Sequence, residues 1–174
     1  MKQPYRLLNL LESGEVQRFH AAPSVPIQTV GHHAWGVTAI ARYIREDPSA
    51  DFLFACLVHD APELYTGDIP FTTKRESPLL RAMLGDIEEK YTSQHLFAPV
   101  SLTQTETTIL KVSDMLEGLR WAKLNERLTA GNQVVAGRWQ NAIAILLSSA
   151  DAKLVMSDEE WSRANNLFIE ITNI

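Results

Sequence analysis

Between Gly31 and Glu46, His33, Val37, Ile40 and Ile44 recur at i, i+4, i+7 and i+11. That spacing puts them on one face of an α-helix, and the same period returns almost to the end of the chain. Leu7, Leu8, Leu10 and Leu11 predict a short first helix closed by Gly14. Ser49 is a capping residue for a helix through "FLFACLVHD", and Pro62 suits the first turn of a short one after it. Leu80, Met83, Leu84, Ile87 and Tyr91 mark a helix from 78 to about 95. Thr103 with Glu106 and Ser157 with Glu160 have capping-box spacing, the first opening a long helix to about Leu128, the second a last helix carrying Trp161, Ala164, Phe168 and Ile171. Val134 to Leu147 is another helical stretch, whereas residues 21–29 and 66–78 read as loops. No segment sustains the alternation of a strand. The expectation is an all-α bundle of about seven helices, one domain over residues 1–174.

Bulk properties narrow the partners. The longest apolar run, Phe52 to Val58, is too short to span a bilayer. The first fifteen residues carry acids and a glycine where a secretory signal needs an apolar core. The single cysteine, Cys56, cannot form an internal disulfide and reads as a small core residue. A formal charge of −5 argues against a broad phosphate-binding face, so long nucleic acid and membrane are not expected partners. A cytoplasmic location is expected, the host's if the chain is phage-encoded.

Four polar residues sit where a plain helical core would not hold them. His33 lies on an apolar stripe, His59 and Asp60 end the most apolar helix, and Asp114 falls between Val112 and Met115. Taken singly, each has a plainer reading: a hydrogen-bonded core histidine, a helix end, a solvated carboxylate. Together, two imidazoles and two carboxylates form a mixed nitrogen and oxygen set that suits a divalent metal and leaves room for water.

The order of a His, a His-Asp pair and a distant Asp on separate helices resembles the HD-domain metal-dependent phosphohydrolases. Three local segments are more specific. "GHHAWGVTAIA" is similar to the first His helix of the YfbR-like branch, with His33 rather than His32 at the matching position; "HDAPELYTGDIP" and "KVSDMLEGL" resemble its central and final motifs. The likeness covers roughly residues 5–128. It implies one divalent metal (Co, Zn, Mn or Mg) held by His33, His59, Asp60 and Asp114, with Glu63 positioning or deprotonating the attacking water. It further implies that Asp68 accepts from the sugar 3′-OH, that Arg18 contacts phosphate, and that Phe19, where the branch usually has Trp, walls off the 2′ position. Lys74 and Arg75 are either solvated loop charges or further phosphate contacts.

The activity implied is hydrolysis of 2′-deoxynucleotides at the α-phosphorus. The triphosphate, dATP or another dNTP, comes first as substrate; release of phosphate from a monophosphate is the alternative. A homo-oligomer is also implied. A non-catalytic nucleotide-binding module is the rival of another class, against which the presence of Glu63 and all four ligands counts. Guanosine tetraphosphate hydrolysis would need an acid where Leu64 stands, and a cyclic-dinucleotide phosphodiesterase needs further histidines and a Gly-Tyr-Pro segment that is absent. His20, His32 and His95 have no assigned partner, and Trp121, Trp139 and Trp161 read as core.

Overall fold

The structure is a computed structural model that describes residues 6–20, 26–95, 100–125 and 130–174. Its order is α1 (Arg6–Ser13), β1 (Gln17–Arg18), β2 (Gln28–Thr29), α2 (Val30–Ile44), α3 (Ala50–Val58), α4 (Glu63–Thr66), α5 (Phe71–Glu76), α6 (Pro78–His95), α7 (Gln104–Leu124), α8 (Ala130–Ser148), α9 (Ala150–Val155) and α10 (Asp158–Thr172). The all-α reading holds. Two short helices, α5 and α9, are additional; α5 lies inside the segment read as a loop, just after Pro70. A two-residue antiparallel ribbon pairs Gln17 with Thr29 and Arg18 with Gln28, too short to leave an alternating signature. None of the described helices is long and apolar enough to cross a membrane.

The caps follow the sequence. Thr103 accepts from the N–H of Glu106 while the Glu106 carboxylate accepts from the N–H of Thr103, and Ser157 and Glu160 do the same for α10. Ser49 accepts from the N–H of Phe52 at the start of α3, and Thr29 from the N–H of His32 at the start of α2. These bonds satisfy amide donors that the first helical turn leaves open.

One core joins α2, α3, α7 and α8 through Val37, Ile44, Phe52, Ile109, Leu116, Leu119 and Ile143, all fully buried. Each such side chain contributes about 1.5–3 kcal/mol on leaving water. Cys56 is buried in this core, and desolvation pushes its thiol up to about 12, so it is an inert packing residue as read. The central element is α7, which packs against α2 on one side and α8 on another. Its buried residues run almost continuously from Val112 to Leu119 and include two polar ones, Ser113 and Glu117. Trp139 and Trp161 pack on this core as expected. Trp121 is half-buried and donates through Nε1 to the carbonyl of Pro26 at 3.0 Å.

Candidate metal centre

α2, α7 and the end of α3 converge at one end of the core. His33 projects from α2 and is completely buried; Asp114 comes from α7. The chain leaves α3 at Val58 through a tight turn, with Ala61 N–H bonded to the carbonyl of Val58 and Glu63 N–H to that of Asp60. The turn carries His59 and Asp60 to the other two helices. Pro62, which has no N–H to lose, then opens α4 with Glu63 as its first residue. The helix is therefore interrupted between His59 and Glu63, and Glu63 comes close enough to Asp60 for the two charges to interact. α4 stops at Gly67, whose φ of 67° favours glycine, and the next residue is Asp68.

The donor atoms of His33, His59 and Asp60 lie within 4.8 Å of one another. The Oδ2 atom of Asp60 is 3.5 Å from Nε2 of His33 and 3.4 Å from Nε2 of His59. Oδ1 of Asp114 is 3.0 Å from Nε2 of His33 and 4.0 Å from Nε2 of His59. Both Nε2 atoms are buried and neither makes a properly directed hydrogen bond, although carboxylates stand beside them. Their Nδ1 atoms are engaged elsewhere. His59 Nδ1 is 2.9 Å from the carbonyl of Cys56, which can only accept, so Nδ1 carries the hydrogen. His33 Nδ1 is 2.6 Å from Oε2 of Glu117. Two imidazoles turned so that Nε2 faces two carboxylates, with no protein donor or acceptor satisfying it, is the arrangement a divalent cation requires.

The electrostatics agree. Burial and the charge of Arg18 oppose protonation of His33, but the Asp114 and Glu117 carboxylates beside its two nitrogens outweigh them and raise its pKa to about 9. The same field would favour a divalent cation at this point. Burial would raise the pKa values of Asp60 and Asp114, yet the neighbouring cationic groups hold both below the ordinary carboxylate value.

The remaining sequence-expected residues lie around this set. Arg18, almost buried, bonds through Nη1 to Oδ2 of Asp60, and four carboxylates raise its pKa against the cost of burial. Phe19 has a φ of 62°, unusual for a residue with a side chain, and its N–H donates to Oδ2 of Asp68 at 3.2 Å. Glu63 is 5% exposed, its Oε2 has no partner, and its Oε1 lies 3.5 Å from Nζ of Lys74. Desolvation first, then the charge of Asp60, push the Glu63 carboxyl up to about 8. The side chains of Arg75 and His95 lie outside the described residues. His32 packs edge-on against Trp121 on the exposed side of α2, and His20 Nδ1 lies 3.3 Å from the carbonyl of Gln17.

Sequence reasoning missed Glu117, Gln28 and Arg120. Glu117 accepts from Gln28 Nε2 at 3.0 and 3.1 Å and from Arg120 Nη2 at 2.8 Å, besides His33. No local signal set Glu117 apart: Lys111, Asp114, Glu117 and Arg120 recur at every third position of "KVSDMLEGLRWA", a spacing that equally suits a solvated stripe.

A model of the YfbR-like 5′-deoxynucleotidase family matches residues 7–151. Among solved structures, the chain is similar to an HD phosphohydrolase of cyanophage S-2L (DatZ) bound to dA and one catalytic Zn2+ ion. The TM-score is 0.69 and the identity 18%, over 100% of this chain and 99% of that one. At that identity the likeness establishes the helical fold. No curated protein sequence matches the chain.

Proposed function

Given that the chain belongs to the YfbR-like 5′-deoxynucleotidase family, we propose that it hydrolyses 2′-deoxynucleotides at the α-phosphorus, with deoxynucleoside triphosphates as preferred substrates. The observation that carries this reading is the pair of buried Nε2 atoms of His33 and His59, unsatisfied by protein and facing Asp60 and Asp114. His33, His59, Asp60 and Asp114 would hold one divalent metal. The chemistry such an ion supplies is acidification of water and polarisation of a phosphoryl oxygen.

The residues of the chain do the rest. Glu63 takes the proton of the attacking water. Its shielded carboxyl, with a pKa pushed up towards neutrality, is a stronger base when ionised than an exposed glutamate. Arg18, whose guanidinium stands beside Asp60, binds non-bridging phosphoryl oxygens. The water oxygen bonds to phosphorus, the bond from phosphorus to the 5′-oxygen breaks, and the deoxynucleoside leaves as its alcohol. Lys74, beside Glu63, would neutralise the phosphate tail, which favours a substrate with more than one phosphate. Asp68 offers an acceptor to the 3′-OH. Its bond to the Phe19 backbone would keep the aromatic ring and the carboxylate in one frame around the sugar.

The second reading is release of phosphate from deoxynucleoside monophosphates, which the description of the family favours. Attack at the α-phosphorus is common to both, so the product separates them. Incubation of the protein with each deoxynucleoside mono-, di- and triphosphate and Co2+, Zn2+, Mn2+ or Mg2+ should release triphosphate from the dNTPs. Phosphate from dNMPs alone would establish the second reading. No turnover of any deoxynucleotide, with binding retained, would leave a non-catalytic nucleotide-binding module.

A further inference from the structure

Glu117 is completely buried, with Gln28 and Arg120 donating to its carboxylate and His33 Nδ1 beside it at 2.6 Å. A charged side chain in such a place is costly unless its oxygens are fully occupied, and here three elements contribute to occupying them. Gln28 comes from β2, His33 from α2 and Arg120 from α7 itself. The seat is also shaped for this residue. A Cβ at position 36 would lie 2.6 Å from Cγ of Glu117, so only glycine on α2 leaves room for the carboxylate to reach His33, one turn earlier on that helix.

The consequence concerns which nitrogen of His33 carries the hydrogen. Gln28 Nε2 and Arg120 Nη2 can only donate, so the Glu117 oxygens that meet them are acceptors. An acceptor 2.6 Å from Nδ1 holds a hydrogen on Nδ1, so the proton that a bound cation would displace is the one on Nε2, the atom that faces Asp60 and Asp114. His59 obtains the same tautomer from the main-chain carbonyl of Cys56. A charged acceptor does more than a carbonyl, because it also increases the basicity of the opposite nitrogen.

We propose that Glu117 is a positioning residue, which fixes His33 in the tautomer that presents Nε2 to the ligand set and thereby sets the affinity for the divalent metal. This rests on the reading that His33, His59 and Asp60 hold such a metal. The same carboxylate anchors Gln28, which is paired in the ribbon with Arg18, so the phosphate-binding arm and the metal ligand share one support.

Co2+ titration of the chelator-treated protein, read by calorimetry and by the visible spectrum of the ion, tests this on wild type, Glu117→Gln and Glu117→Asp. Glutamine is close in shape, but Arg120 and Gln28 compete for its single oxygen. That turns its amide donor toward Nδ1, where it favours the opposite tautomer of His33. Affinity should fall about 10- to 100-fold in Glu117→Gln, and Glu117→Asp, which keeps the charge, should recover part of the loss. A folded Glu117→Gln with wild-type affinity overturns the proposal. Wild type that binds no Co2+ overturns the metal reading beneath it. A measurement that needs no variant is imidazole 15N NMR of the Zn2+-loaded wild type. Nδ1 of His33 should appear protonated, and an unprotonated Nδ1 overturns the assignment.

Discussion

Replacing Glu63 by glutamine should make the metal-free protein more stable at alkaline pH while removing its activity. Glu63 is 5% exposed, one of its oxygens has no partner, and Nζ of Lys74 stands 3.5 Å from the other. Desolvation and the charge of Asp60 raise its pKa from 4.5 to about 8, against the opposing charges of Arg18 and Lys74. At about 1.36 kcal/mol per pH unit, that rise has a ceiling of about 5 kcal/mol in favour of the protonated form. Relaxation of the side chain toward solvent should leave about 1–3 kcal/mol. The sign follows from linkage. Above pH 4.5 the unfolded chain loses this proton while the folded one keeps it, so this group lowers stability as pH rises from 4.5 to about 8, and no further beyond that. Glutamine cannot ionise and escapes the penalty. Urea unfolding in chelator should give similar stabilities near pH 4.5 and an advantage of about 1–3 kcal/mol for Glu63→Gln above pH 8. In the metal-loaded protein the same variant should turn over about 10²–10⁴-fold more slowly. A stability difference that does not change with pH would refute the claim that burial governs this carboxyl. Near-wild-type turnover would refute its role as the base.

Asp114→Ala removes an oxygen 3.0 Å from Nε2 of His33 and should lower bound metal and turnover together, as read by elemental analysis beside a product assay. Asp68→Ala should reduce kcat/KM for deoxynucleotides about 10- to 100-fold, the worth of one charged hydrogen bond of roughly 1.5–3 kcal/mol. It also frees the Phe19 N–H, so discrimination should loosen with it. Phe19→Ala should raise turnover of ATP relative to dATP, and of AMP relative to dAMP; equal use of ribo- and deoxynucleotides by wild type would refute the deoxy preference. Thr103→Ala breaks the capping box of the helix that carries Asp114 and should cost about 1 kcal/mol, seen as a lower Tm with turnover retained at low temperature.

The helices of this protein were legible because their determinants are local. The stripe His33, Val37, Ile40 and Ile44, the box of Thr103 with Glu106 and that of Ser157 with Glu160 involve residues within one or a few turns of each other, and each formed where its spacing indicated. The ribbon of β1 and β2 was not legible, since two residues per strand carry no period, and α5 was hidden by the turn-forming residues around it. At the site, the residue types of the ligand set were visible as polar intrusions on apolar helices, and their motifs pointed to the family. The orientation that makes them useful was not. Which nitrogen of His59 faces Asp60 depends on how α3 ends at the carbonyl of Cys56, and which nitrogen of His33 does so depends on Glu117, 84 positions away. Glu117 reaches His33 only because Gly36 lets α2 and α7 approach so closely, and its oxygens are occupied there because Gln28 and Arg120 arrive at the same point. Spacing along a chain records interactions within a helix; a buried carboxylate shared by three elements exists only once those elements have packed, because no one of them could hold the charge alone.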